Sequence, residues 1–113
     1  MRIDLFGREG VREGSVLELH RTTDGAIRVH VHPGPDAGDP YPGGATSMVA
    51  FARALARKSS LRIDASEGYY CFQRDKERVE IEYHSTERES DRFWRATMSD
   101  MLAALKILGS QAA

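Results

Sequence analysis

From Ser15 to His32 the chain reads SVLELHRTTDGAIRVHVH, with apolar and polar residues exchanging at nearly every step. Leu17 and Leu19 alternate with Glu18 and His20, and Ile27, Val29 and Val31 with Arg28, His30 and His32. That is the period of a half-buried strand. The loop decides how the two runs meet. A two-residue Asp24-Gly25 turn would pair Leu19 with His30 and mix leucines with histidines on one face. A three-residue loop, Thr23-Asp24-Gly25, pairs Leu19 with Val29 and Leu17 with Val31, which collects the apolar side chains on one side. Gly25 then supplies the positive φ such a loop needs in its last position. The pattern predicts this second register, with Glu18 facing His30.

The same layout returns in Glu67–His84, EGYYCFQRDKERVEIEYH, at a shift of 52 residues. Tyr69, Cys71, Val79, Ile81 and Tyr83 fall where Leu17, Leu19, Ile27, Val29 and Val31 stood. The loop becomes Asp75-Lys76-Glu77, which has no glycine. The same shift takes Ser47 to Ser99 and Tyr41-Pro42 to Phe93-Trp94, and Arg2-Ile3-Asp4 returns as Arg62-Ile63-Asp64 at a shift of 60. A longer first connection, Gly7–Gly14, absorbs the difference. An internal duplication is expected, with pseudo-repeats at about 1–59 and 60–113.

Between the hairpins, Pro33–Gly44 carries all the prolines and excludes helix or central strand, which reads as a mobile loop. Ser47 caps a helix whose face carries Met48, Phe51, Ala52 and Leu55, with Arg57 and Lys58 at its end. Leu61–Ala65 is a short strand like Arg2–Phe6. Ser85–Arg92 is a charged loop, and Phe93–Met98 a strand. Ser99 caps a second helix with a stripe of Met101, Leu102, Leu105 and Leu108, stopped by Gly109, beyond which Ser110–Ala113 frays. Each half is four strands and a helix. One domain, 1–113, of the α+β class is predicted: a mostly antiparallel sheet whose apolar face the two helices cover.

At 113 residues the chain has material for one core. Sixteen basic against seventeen acidic residues, a net charge of −1, leave no global field to attract nucleic acid or an anionic membrane. The lone Cys71 excludes an internal disulfide framework and fits a reducing compartment. No signal peptide or membrane span is evident, so a cytoplasmic protein is expected.

The doubled ββββα order resembles the PUR repeat, and the whirly proteins share a related layout. The likeness spans nearly the whole chain as element order and spacing. It implies two interlocked copies and single-stranded nucleic-acid binding. Phe51–Leu108 is also similar to small bacterial domains of unknown activity, in which a helix precedes an S-x-G turn (here Ala65-Ser66-Glu67-Gly68), a hairpin and a tryptophan strand. That likeness implies a fold and no chemistry.

If Tyr69 and Cys71 face the helices, Tyr70 and Phe72 lie on the opposite face beside Glu80 and Glu82, with Arg74 and Arg78 near the loop. Exposed aromatics anchor protein interfaces, so these residues, with Trp94 at the rim, are the expected binding surface. A base-stacking platform is the competing reading, opposed by the glutamates. Glu18, His20, Arg28, His30 and His32 share the equivalent face of the first hairpin. His-x-His on a strand could hold zinc, but i and i+2 side chains are ~7 Å apart and a third donor must converge. A solvated polar face is the expectation, with no metal or other cofactor, and His84 adds no separate role. Cys71 is expected as an inert buried thiol. With no catalytic motif, the reading is a non-enzymatic binding domain that self-associates or sequesters a protein partner. The alternative is a PUR-like single-strand binder.

Overall fold

The computed structural model describes residues 1–7, 12–33, 40–57, 59–86 and 92–110. Parts of the glycine-punctuated, proline-rich and charged loops (8–11, 34–39, 87–91), Lys58 and the tail at 111–113 lie outside the described residues. The elements run β1 (Arg2–Phe6), β2 (Arg12–Arg21), β3 (Ala26–His32), β4 (Gly44–Ser47), α1 (Met48–Arg57), β5 (Leu61–Ala65), β6 (Gly68–Asp75), β7 (Arg78–Ser85), β8 (Arg92–Thr97) and α2 (Met98–Ser110).

Every strand pairs antiparallel with its neighbour in sequence, and β8 returns to β1, so the sheet closes into a barrel. This corrects the α+β expectation of a sheet covered by two helices. Eight strands with one apolar face each can bury those faces against one another by curling, and closure joins the two end strands, β1 to β8, at Phe6 and Arg95. Leu5, Leu17, Leu19, Val29, Val31, Ile63, Ile81 and their neighbours fill the interior as one cluster.

The helices close one end instead. At the tip of the first hairpin Arg21 Nη1 donates to the Leu108 carbonyl of α2 at 2.9 Å, and near the second tip Arg74 Nη1 donates to the Leu55 carbonyl of α1 at 3.1 Å. Each helix C-terminus is thus met by a cation from the other half's hairpin, where the helix dipole favours positive charge. Phe51 of α1 meets the Phe72 ring edge-on with centroids 5.3 Å apart. Ser47 Oγ caps α1 by accepting the Ala50 N–H. For α2 the cap is Thr97, which accepts from Asp100, and not Ser99, because β8 runs directly into the helix. The buried faces are Phe51, Ala54 and Leu55 on α1, and Met98, Met101, Ala104, Leu105 and Leu108 on α2. Ala52 and Leu102, expected in these stripes, face outward. Among the described residues no helix is long and apolar enough to cross a membrane.

The first hairpin has the predicted register, Leu17 opposite Val31, Leu19 opposite Val29 and Glu18 opposite His30, with Gly25 at φ 84°. The second does not. Asp75 pairs with Arg78, leaving a two-residue turn in which Lys76 takes φ 58°. One residue fewer in the loop turns β6 over. Tyr70 and Phe72 therefore point into the barrel, fully buried, opposite Tyr83 and Ile81, while Tyr69 and Cys71 lie on the outer wall.

Candidate functional site

The expected aromatic surface is dispersed by this register. Tyr70 and Phe72 are core, and so is Trp94, against which Tyr41 packs with ring centroids 5.4 Å apart. Tyr41 also donates its N–H to Val31 O, so this end of the proline-rich segment is docked rather than mobile. The Tyr70 hydroxyl accepts the Val31 N–H and donates to the Pro42 carbonyl at 2.8 Å. Arg74 caps a helix, and Arg78 is exposed beside the turn. Glu80, near Arg95, and Glu82, bound to His84 at 3.0 Å, remain with Arg78 on the outward face of β7. Tyr69 joins them, stacked on His84 with the Arg62 guanidinium 3.9 Å above its ring. Cys71 is partly exposed there, and burial, with Glu82 across the pair, pushes its thiol up and away from thiolate reactivity.

The first hairpin presents something more concentrated. Alternation along β2 and β3 sends Glu18, His20, His30 and His32 outward, and the pairing of β1 with β2 sets Arg2 beside Glu18. A row Arg2–Glu18–His30 therefore crosses three strands, flanked by His20 and His32. Glu18 is buried although it sits on the outer wall, because its neighbours close over it. Arg2 Nε reaches Glu18 Oε1 at 2.7 Å. The other oxygen, Oε2, has His30 Nε2 at 2.9 Å, His32 Nε2 at 3.1 Å and His20 Nε2 at 3.5 Å. His30 and His32 place their own Nε2 atoms 3.0 Å apart. The i, i+2 spacing that argued against convergence holds for the backbone, but the imidazoles lean together and cancel it. The sequence signal that carried the site was the Glu18–His30 cross-strand pair; His20 and His32 joining it was not visible there.

Burial alone would raise the Glu18 carboxyl. Hydrogen bonds from His32, Arg2 and His20 outweigh it and hold the group at about 2. Burial also pushes His30 below the usual imidazole value of 6.5; Glu18 opposes this, and His32 and His20 reinforce it. The site is thus a fixed carboxylate facing an imidazole that favours its neutral form.

The two shifts act on stability with the same sign. Unfolded His30 takes up a proton near 6.5 while the folded ring resists, so the unfolded chain binds more protons just below that pH and stability falls there. Unfolded Glu18 protonates near 4.5 but the folded group holds out to about 2, giving a second loss between those values. Melting temperatures measured from pH 8 down to pH 3 are expected to fall in two stages. His30→Gln should flatten the first and Glu18→Gln the second.

On the other half the pairing of β5, β6 and β7 gives the row Arg62–Cys71–Glu82, with Tyr69 and His84 beside it. Among the described residues, Glu18, His20 and His30 bring three donor atoms all within 4.8 Å of one another, and Glu18, His30 and His32 lie closer still. No protein-family model, curated protein or solved structure matches the chain.

Proposed function

We propose that this protein is a small non-enzymatic binding domain whose recognition surface is the outer wall of the first hairpin. The observation that carries this reading is the gathering of three imidazoles within 3.5 Å of one carboxylate oxygen. Such a wall recognises a group that accepts electron pairs or carries positive charge. The barrel is its support: an apolar interior fixes β2 and β3, and their alternation fixes the polar groups. No activated nucleophile accompanies the cluster among the described residues, which favours binding over catalysis. A reducing cytoplasm suits a domain that keeps Cys71 as a thiol.

Tyr69 of the second hairpin, an aromatic on the outer wall held between Arg62 and His84, is the competing place for a protein contact. Single-strand binding keeps less: the two aromatics proposed to stack bases lie inside the barrel. The test is amide chemical-shift mapping of the labelled full chain against a panel of divalent cations, amines, cationic peptides and oligonucleotides. Shifts confined to residues 16–20 and 28–32, abolished by Glu18→Gln with His30→Gln, are expected for at least one cationic class. Silence of that wall toward the whole panel, or responses centred on Tyr69 alone, would refute the assignment.

A further inference from the structure

Resting on that reading, we propose that Glu18, His30 and His32, with His20 as a fourth donor, form a binding site for a divalent transition-metal ion of the zinc class.

Glu18 Oε2, His30 Nε2 and His32 Nε2 stand at the corners of a triangle with edges of 2.9, 3.1 and 3.0 Å. Neutral imidazoles cannot make all three edges hydrogen bonds. If both rings donate to the oxygen, their N–H groups oppose each other across the third edge. If His30 donates to His32, the receiving nitrogen has no proton to give Glu18. One edge is always left as a repulsive approach of like atoms. A cation above the triangle resolves the conflict, because each corner then points a lone pair at it and those three attractions outweigh the repulsion between the donors.

The dimensions suit such an ion. Zinc bonds imidazole nitrogen at about 2.0–2.1 Å and carboxylate oxygen at about 2.0–2.2 Å, which in a tetrahedron separates the donors by roughly 3.3 Å. An ion about 1 Å above the plane would reach all three atoms at those lengths. His20 Nε2 lies 3.5 Å from Oε2, within a small rotation of a fourth position. Its side chain is 56% exposed, so it is free to swing and leaves the ion a path from solvent.

Donor chemistry selects the class. Three nitrogens and one oxygen favour zinc and its first-row neighbours, whereas magnesium and calcium take oxygen ligands. Arg2 on Oε1 supplies an outer contact of the kind that orients a ligating carboxylate, since it leaves Oε2 toward the imidazoles. The corresponding wall of the second half carries Cys71, Glu82 and His84, all ligand types, without a comparable convergence. It is a built-in control.

The test is calorimetric titration of the metal-stripped full chain with zinc chloride, with magnesium chloride as comparison. One zinc per chain is expected, and no measurable magnesium. Glu18→Gln and His30→Gln should each weaken zinc at least about tenfold, His20→Ala should weaken it less, and His84→Gln should leave it unchanged. Imidazole nitrogen spectra of the unaltered chain add a readout free of folding defects: zinc should shift His30 and His32 and leave His84 in place. Absence of zinc binding, binding kept in both Glu18→Gln and His30→Gln, or shifts at His84 in place of the first hairpin would overturn the proposal. If zinc fails while another cationic ligand still moves residues 16–20 and 28–32, the ion assignment falls and the recognition wall stands.

Discussion

Phe72→Ala is expected to destabilise the protein by about 3–5 kcal/mol, and the change of its neighbour Cys71 to Ser by under about 1 kcal/mol. The contrast follows from the side each residue takes. Phe72 is 1% exposed inside the barrel and packs on Phe51 of α1, so its removal leaves a cavity the surrounding strands cannot collapse into. Cys71 is on the outer wall and replaceable by another small side chain. Tyr70→Phe should fall between, at about 1–3 kcal/mol, because the Val31 N–H and the Pro42 carbonyl would lose their buried partner. Since domains of this kind have only about 5–15 kcal/mol in total, Phe72→Ala should leave a large unfolded fraction at moderate urea. Urea midpoints of the three variants check this. The reverse order, with Cys71→Ser the most damaging, would mean that β6 faces the other way.

That experiment also separates what the sequence made legible from what it did not. The first hairpin was readable because its two faces differ sharply: leucine and valine on one, glutamate and histidine on the other, with a glycine marking the loop. The second was ambiguous because Tyr69, Tyr70, Cys71 and Phe72 place apolar matter on both faces of β6. Only the turn could decide, and a lysine at positive φ carries no sequence signal. The volume of Phe72 against Cys71, and the polar Gln73 that continues the Tyr69–Cys71 face, were the available hints. The same one-residue difference in the turn puts the aromatic side chains inside and directs Arg74 to a helix carbonyl in the other half. The metal-competent cluster was half legible. Glu18 facing His30 follows from register, but the convergence of three ring nitrogens depends on side-chain rotation, which alternation does not encode.

Closure of the sheet had a signal of its own, carried by glycines that otherwise pass for turn residues. Gly44, Ala65, Gly68 and Ser85 form one continuous row across β4, β5, β6 and β7. Small residues in a strand mark places where backbones approach closely or a sheet bends sharply. At Gly44 the approach is close: a Cβ there would stand 2.5 Å from the Asp64 carbonyl oxygen and 2.8 Å from Ile63 Cγ2. Backbone cannot rotate out of the way as a side chain can. Gly44 also forms, with Ala65, the one registered pair joining β4 to β5 among the described residues. Gly44→Ala is therefore expected to part the barrel at this seam and to cost about 3 kcal/mol or more. Gly43→Ala, whose added carbon would meet its nearest neighbours at 3.4 Å, should cost well under half as much. Urea unfolding gives the two energies, and amide exchange locates the opening, which should lie along Gly44–Ser47 and Leu61–Ala65. A Gly44→Ala protein as stable as its Gly43→Ala counterpart would show that β4 and β5 do not meet there, and that the sheet closes by some other contact.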